Sequence, residues 1–292
     1  MSEIQILSNA SSSLLASSYA GQSADLSEYV YDMDRSTVNK AINRLVNVTV
    51  NNAAFGKTHS VEIPSFGILN KLVVKTTFQV GAADINATDC KKIKKSLYSA
   101  LFQECAIMNS SRRVFTLPGE MIAYLVQSLP AEQREKWLIA GMDTQIVDEN
   151  GNKYDLDAGA EIPINTRFTV YTPLFFSCFE EGGAKNGPFK SNFNTRFLEK
   201  LNVMIHFNEI KNIFYEGADI SLEECEILCD FHIIEQKSLD KIEEANYSLS
   251  SNLAQVMSNF TVVTSAPHAY NGDQGLSLQL MNDQLVHSIV VC

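Results

Sequence analysis

Apolar and polar residues alternate strictly through the middle of this chain. Leu72, Val74, Thr76, Phe78 and Val80 fall on one side of an extended backbone. Leu201, Val203, Ile205 and Phe207 do the same, with Asn202, Met204, His206 and Asn208 opposite. In a third run Cys225, Ile227, Cys229, Phe231 and Ile233 point together. A period of two sends successive side chains to opposite faces of a strand, so these runs predict antiparallel strands with one buried face. Turn residues punctuate them: Pro64-Ser-Phe-Gly67, Pro118-Gly119, Asn150-Gly151, Gly182-Gly183 and Gly187-Pro188.

Helical spacing interrupts the pattern in a few places. Asp34 is placed to cap a short helix through Leu45, with Val38, Ala41, Ile42 and Leu45 on one face. Val46, Val48 and Val50 then alternate with Asn47 and Thr49, which returns the chain to extended backbone. A second helix is expected over Lys91 to Phe102. A third starts from Ser128 as N-cap, with Pro130 in its first turn and Glu132 to Ile139 following. Ser238 caps a fourth, with Asp240, Glu243 and Glu244 early in it, where the helix dipole favours acids. The sum is an all-β sandwich of antiparallel strands with helical insertions.

Composition narrows the function classes. The chain has 292 residues, 45% of them hydrophobic and 20% charged, enough to bury a real core. No stretch approaches the ~18 apolar residues of a membrane span. Met1-Ser-Glu-Ile-Gln lacks the basic and apolar regions of a secretory signal. The net charge of −11 argues against a surface that coats nucleic acid, leaving such contact incidental. It suits subunits that repel one another until they assemble. Cys90, Cys105, Cys178, Cys225, Cys229 and Cys292 are scattered, as in a protein with reduced thiols rather than a disulfide framework. Residues 1–30, rich in Ser and Ala, read as an arm that is mobile or ordered by a partner.

Fragments of chemical motifs are present, and none is whole. Gly56-Lys57-Thr58 lacks the glycine that a phosphate loop requires five residues before its Gly-Lys pair, since Asn51 stands there. Asp148-Glu-Asn-Gly-Asn-Lys-Tyr-Asp-Leu-Asp157 is oxygen-rich. Its glycine comes fourth rather than sixth, and it has no twelfth-position Glu, so a hairpin turn is the better reading. Cys225 and Cys229 share a strand face while His232 falls opposite, so they read as core thiols and not a zinc site. His59, His206, His232, His268 and His287 form no paired motif. The basic run Lys91-Lys92-Ile-Lys94-Lys95 reads as a solvated helix face. Trp137 reads as a core or interface anchor. No catalytic, cofactor-binding or metal residue is assigned, and no enzyme, cofactor or small-molecule substrate is expected.

Several phrases in fixed order resemble the major capsid proteins of large double-stranded DNA viruses, the double jelly-roll lineage. Phe55-Gly56-Lys57 with Val61, Ile63, Gly67 and Leu69 is similar to that family's first barrel strand and the turn after it, with Ile68 where the family has Asp. Leu97 to Ile107 resembles a helix entering a strand beneath a Gly-Gly turn, with Asn109-Ser110 in place of the glycines. Tyr171-Thr-Pro-Leu-Phe-Phe-Ser-Cys178 resembles a Pro-Leu-Pro-Phe-Phe phrase, and Phe197 to Phe207 the strand after it. Cys225 to Glu235 is similar to the strand closing the first barrel. Leu276 to Leu280 with Val286 to Val291 resembles the opening of a second.

The resemblance spans about residues 38–292 and implies a division into three parts. These are an N-terminal arm and short helix at 1–54, a first jelly-roll barrel at 55–237, and a linker helix with opening strands of a second barrel at 238–292. The second barrel is partial: the chain is part of a longer one, or that barrel is degenerate, or another chain completes it. The implied function is a structural component of an icosahedral shell. Homotrimers form pseudo-hexagonal capsomers, with neighbouring capsid proteins and an inner membrane as further neighbours, in a virion assembled in host cytoplasm or nucleus. Two alternatives remain at this point: a single-barrel minor or vertex capsid protein, and a carbohydrate-binding β-sandwich. The second lacks an aromatic platform, since Trp137 is the only tryptophan.

Overall fold

The computed structural model of the chain describes residues 42–64, 68–131, 134–135, 145–176, 193–195 and 200–233. In chain order the strands are β1 (Ile42–Thr49), β2 (Thr58–Glu62), β3 (Ile68–Val80), β4 (Phe102–Asn109), β5 (Arg112–Pro118), β6 (Gln145–Val147), β7 (Lys153–Asp155), β8 (Arg167–Pro173), β9 (Phe193–Asn194), β10 (Leu201–Phe207) and β11 (Ile220–Ile233). Helices α1 (Ala87–Cys90), α2 (Leu97–Ala100), α3 (Gly119–Ser128) and α4 (Ile210–Ile213) lie between them.

Two sheets carry the architecture. One runs β1-β11-β3-β8, with β9 added to the start of β3, and the other runs β2-β10-β4-β5. All their pairings are antiparallel. The first sandwich strand pairs with the last, the second with the second-last, the third with the third-last, and the middle two with each other: β1 with β11, β2 with β10, β3 with β8, β4 with β5. This is one long antiparallel hairpin. Two further pairings, β11 with β3 and β10 with β4, wind it into two facing sheets. A hairpin wound in this way is a jelly roll.

Register follows the alternation. Val74 pairs with Ile227, Leu72 with Cys229 and Thr76 with Cys225, so the predicted faces of β3 and β11 share one side of the sheet. Val203 and Ile205 pair with Ile107 and Cys105 in the facing sheet. Val74, Phe78, Val203, Ile205, Ile227 and Phe231 are all fully buried, as expected. Asn202, Met204 and His206 are half-exposed on the other face of β10. Removing this apolar area from water drives the sandwich together, at about 1.5–3 kcal/mol for each fully buried Phe, Ile, Leu or Val. Phe78 anchors one end of the core, with ring centroids of Phe55, Phe168 and Phe214 at 5.9, 5.3 and 5.8 Å.

Four expectations are corrected. Where it is described, the helix from Asp34 through Leu45 is strand: Ile42 to Leu45 pair with Asp230 to Ile233 in β11. Tertiary pairing overrides the helical spacing, because strand register sends Val46 and Val48 towards the core and leaves Leu45 63% exposed. The barrel therefore takes in β1, from the segment assigned to the arm, and Thr58 to Glu62 is its second strand rather than its first. The helix over Lys91 to Phe102 breaks into a turn, the single-turn α2 and the start of β4. Ser96 sits at φ 58°, in the left-handed region, where a right-handed helix cannot continue. Ser128 ends α3 instead of capping the next helix, and its hydroxyl donates to the Leu125 carbonyl at 2.8 Å. The expected features at 1–41 and 234–292, together with Trp137 and Cys178, lie outside the described residues.

Candidate assembly surface

Strands of a jelly roll run end to end, so their connections gather at the two ends of the sandwich. At one end the described residues of four connections pack into a cap: 50–57, 81–101, 119–131 with 145–166, and 208–219. The Gly56 amide donates to the Asn208 carbonyl at 3.0 Å, and the Asn208 amide donates to the Leu101 carbonyl at 2.9 Å. The Asn208 side chain donates to the Ala100 carbonyl at 2.9 Å. Lys94 and Ile213 are joined through the backbone at 3.0 Å, and Ile85 and Ile162 exchange both backbone bonds at 2.8–2.9 Å. Asp219 closes the cap. Its carbonyl accepts from the Gly81 amide at 2.7 Å, and its carboxylate accepts from the Ala82 amide at 2.5 Å. Connections tied by this many backbone bonds behave as a preformed surface rather than free loops.

Two glycines of this cap stand close to other groups, Gly81 to a side chain and Gly119 to backbone. A Cβ on Gly81 would lie 2.3 Å from the Asp219 carboxylate. A Cβ on Gly119 would lie 1.9 Å from the Phe102 carbonyl oxygen, because α3 begins hard against the α2–β4 junction. Pro118-Gly119, expected as a turn, is instead the start of α3. The signal was present in Ile122 and Val126, four residues apart and both buried.

The sequence motifs fall on this cap and the adjoining strands. Gly56, at φ 69°, is the turn into β2, and the Lys57 carbonyl accepts from the Phe207 amide at 3.0 Å. The segment is thus a strand entry, as expected. Asp148 begins the β6–β7 hairpin. Its carboxylate accepts from the amides of Asn150 at 2.9 Å and Asn152 at 2.8 Å, the Asn152 side chain at 2.8 Å and the Tyr154 hydroxyl at 3.1 Å. These bonds, the Asn152 side chain foremost, hold its pKa below the ordinary carboxylate value. The hairpin reading stands.

The basic run is not a helix face. Ile93 is buried and pins a turn from which Lys91, Lys92, Lys94 and Lys95 project into solvent. Lys92 meets Asp89 at 2.9 Å and lies 5.7 Å from the ring centre of Tyr215, and Lys95 meets Asp157 at 2.6 Å. Arg167, at the first position of β8, joins three carboxylates: Glu149 at 3.0 Å, Glu223 at 2.7 Å and Glu224 at 3.7 Å. Exposed pairs of this kind contribute about 0–1 kcal/mol each, so they fix loop geometry more than they stabilise. Sequence reasoning missed Arg167 because its partners come from two distant segments, the β6–β7 turn and β11.

The thiols are core groups. Cys90, Cys105, Cys225 and Cys229 are free and buried. Burial pushes the Cys90 thiol up to about 11 and those of Cys225 and Cys229 up to about 12. A nucleophilic or metal-binding cysteine needs the opposite shift. His59 uses its Nε2 to accept from the Ala54 amide at 3.3 Å and stands edge-on to Phe207. Among the described residues no group of three or more His, Cys, Asp and Glu side chains is placed to hold a metal ion.

The fold and the cap define a jelly-roll sandwich with its connections consolidated at one end. Its structure is similar to those of viral major capsid proteins. For PBCV-1 VP54, fitted into a reconstruction of the virophage Sputnik, the TM-score is 0.45 at 10% identity, over 69% of this chain and 45% of that one. For the Faustovirus major capsid protein the TM-score is 0.41 at 9% identity, over 70% and 57%. For the mavirus major capsid protein it is 0.38 at 11% identity, over 69% and 48%. The match thus spans about half the length of those proteins. No protein-family model and no curated protein matches the chain. The strand order, not these scores, makes this a jelly roll.

Proposed function

We propose that this chain is a structural capsid protein that self-assembles into the icosahedral shell of a DNA virus, through trimeric pseudo-hexagonal capsomers. The carrying observation is the strand order. The two sheets β1-β11-β3-β8 and β2-β10-β4-β5 form a jelly roll, and the described parts of the phrases that resemble capsid proteins include its strands β2, β4, β8, β10 and β11. Stiff facing sheets suit a building block because they hold its shape while the connections at its ends meet neighbours. The proposed partners are further copies of the chain and neighbouring capsid proteins, and the proposed location is the virion. Residues 238–292 are proposed to hold a linker helix and the opening strands of a second barrel. No catalytic role is proposed: the described thiols are shifted away from reactivity, and Asp148 and His59 are engaged in holding turns.

Native mass by sedimentation velocity tests the reading. Trimers or larger closed assemblies support it. A monomer at every protein and salt concentration overturns it, and a monomer whose melting temperature rises with an oligosaccharide points to the carbohydrate-binding alternative.

A further inference from the structure

We draw no further inference here: the strongest candidate, the outward apolar patch of Leu45, Leu228 and Val73 on the β1-edge side of the β1-β11-β3-β8 sheet, carries nothing because no feature of the structure shows what covers it.

Discussion

Single residues test whether the core is assembled as described. Phe231 has no exposed surface and faces the opposite sheet. Phe231→Ala should therefore cost about 3–5 kcal/mol in chemical denaturation, and a loss under about 1 kcal/mol would mean the face is wrong. Gly119→Ala should cost about 1–3 kcal/mol or more by forcing α3 off the Phe102 carbonyl, although the substitution favours helix in isolation. A gain in stability would show that this close approach does not exist. The buried thiols set a pH dependence. Cys225 and Cys229 are raised from 9.0 to about 12 by burial, so the folded state keeps its thiol protons where the unfolded chain loses them. Their contribution is fully present below about pH 9 and is lost as pH rises towards 12. Urea midpoints measured between pH 8 and pH 11 should fall, and Cys229→Val should flatten the fall. An unchanged slope would place Cys229 in water.

Elements differ in how plainly the sequence announced them. The faces of β3, β10 and β11 were legible because one burial face imposes a period of two that no helix tolerates. The Asn109-Ser110 substitution in the β4–β5 turn was also legible: Ser110 adopts φ 54°, a backbone region that glycine enters without strain. β1 was not legible. Its first half fits a helical face from Val38 to Leu45, and only pairing with β11, far along the chain, decides between the two. The cap was also hidden, since most of its bonds join backbone groups whose side chains carry no pattern. The position of β1 yields a sharp test. A chain starting at residue 31 should keep the cooperative unfolding of the intact one. A chain starting at Phe55 should not, because it loses β1 and Val50, which is 3% exposed. Equal cooperativity of the two would return the barrel's start to Phe55.

At the scale of the whole molecule, the charge and the arm make a joint prediction about assembly. With 23 basic and 34 acidic residues the net charge of −11 keeps separate copies apart. Salt shortens the range of that repulsion, to about 8 Å at 0.15 M, so oligomer formation should strengthen as salt is raised. Attraction carried mainly by ion pairs between copies would weaken instead, and the sign separates the two cases. The Ser- and Ala-rich residues 1–30 contain too little apolar surface for a core of their own, yet they lead into the sheet that begins at Ile42. A neighbouring copy is the surface such an arm would bind. Deleting residues 1–30 should leave the unfolding free energy from urea titration within about 0.5 kcal/mol of the intact chain, as for changes away from packed sites, while shifting the sedimentation profile towards monomer. If the shortened chain assembles as well as the intact one at matched salt, the arm has no part in assembly. The contacts would then fall to the cap and the outward sheet faces.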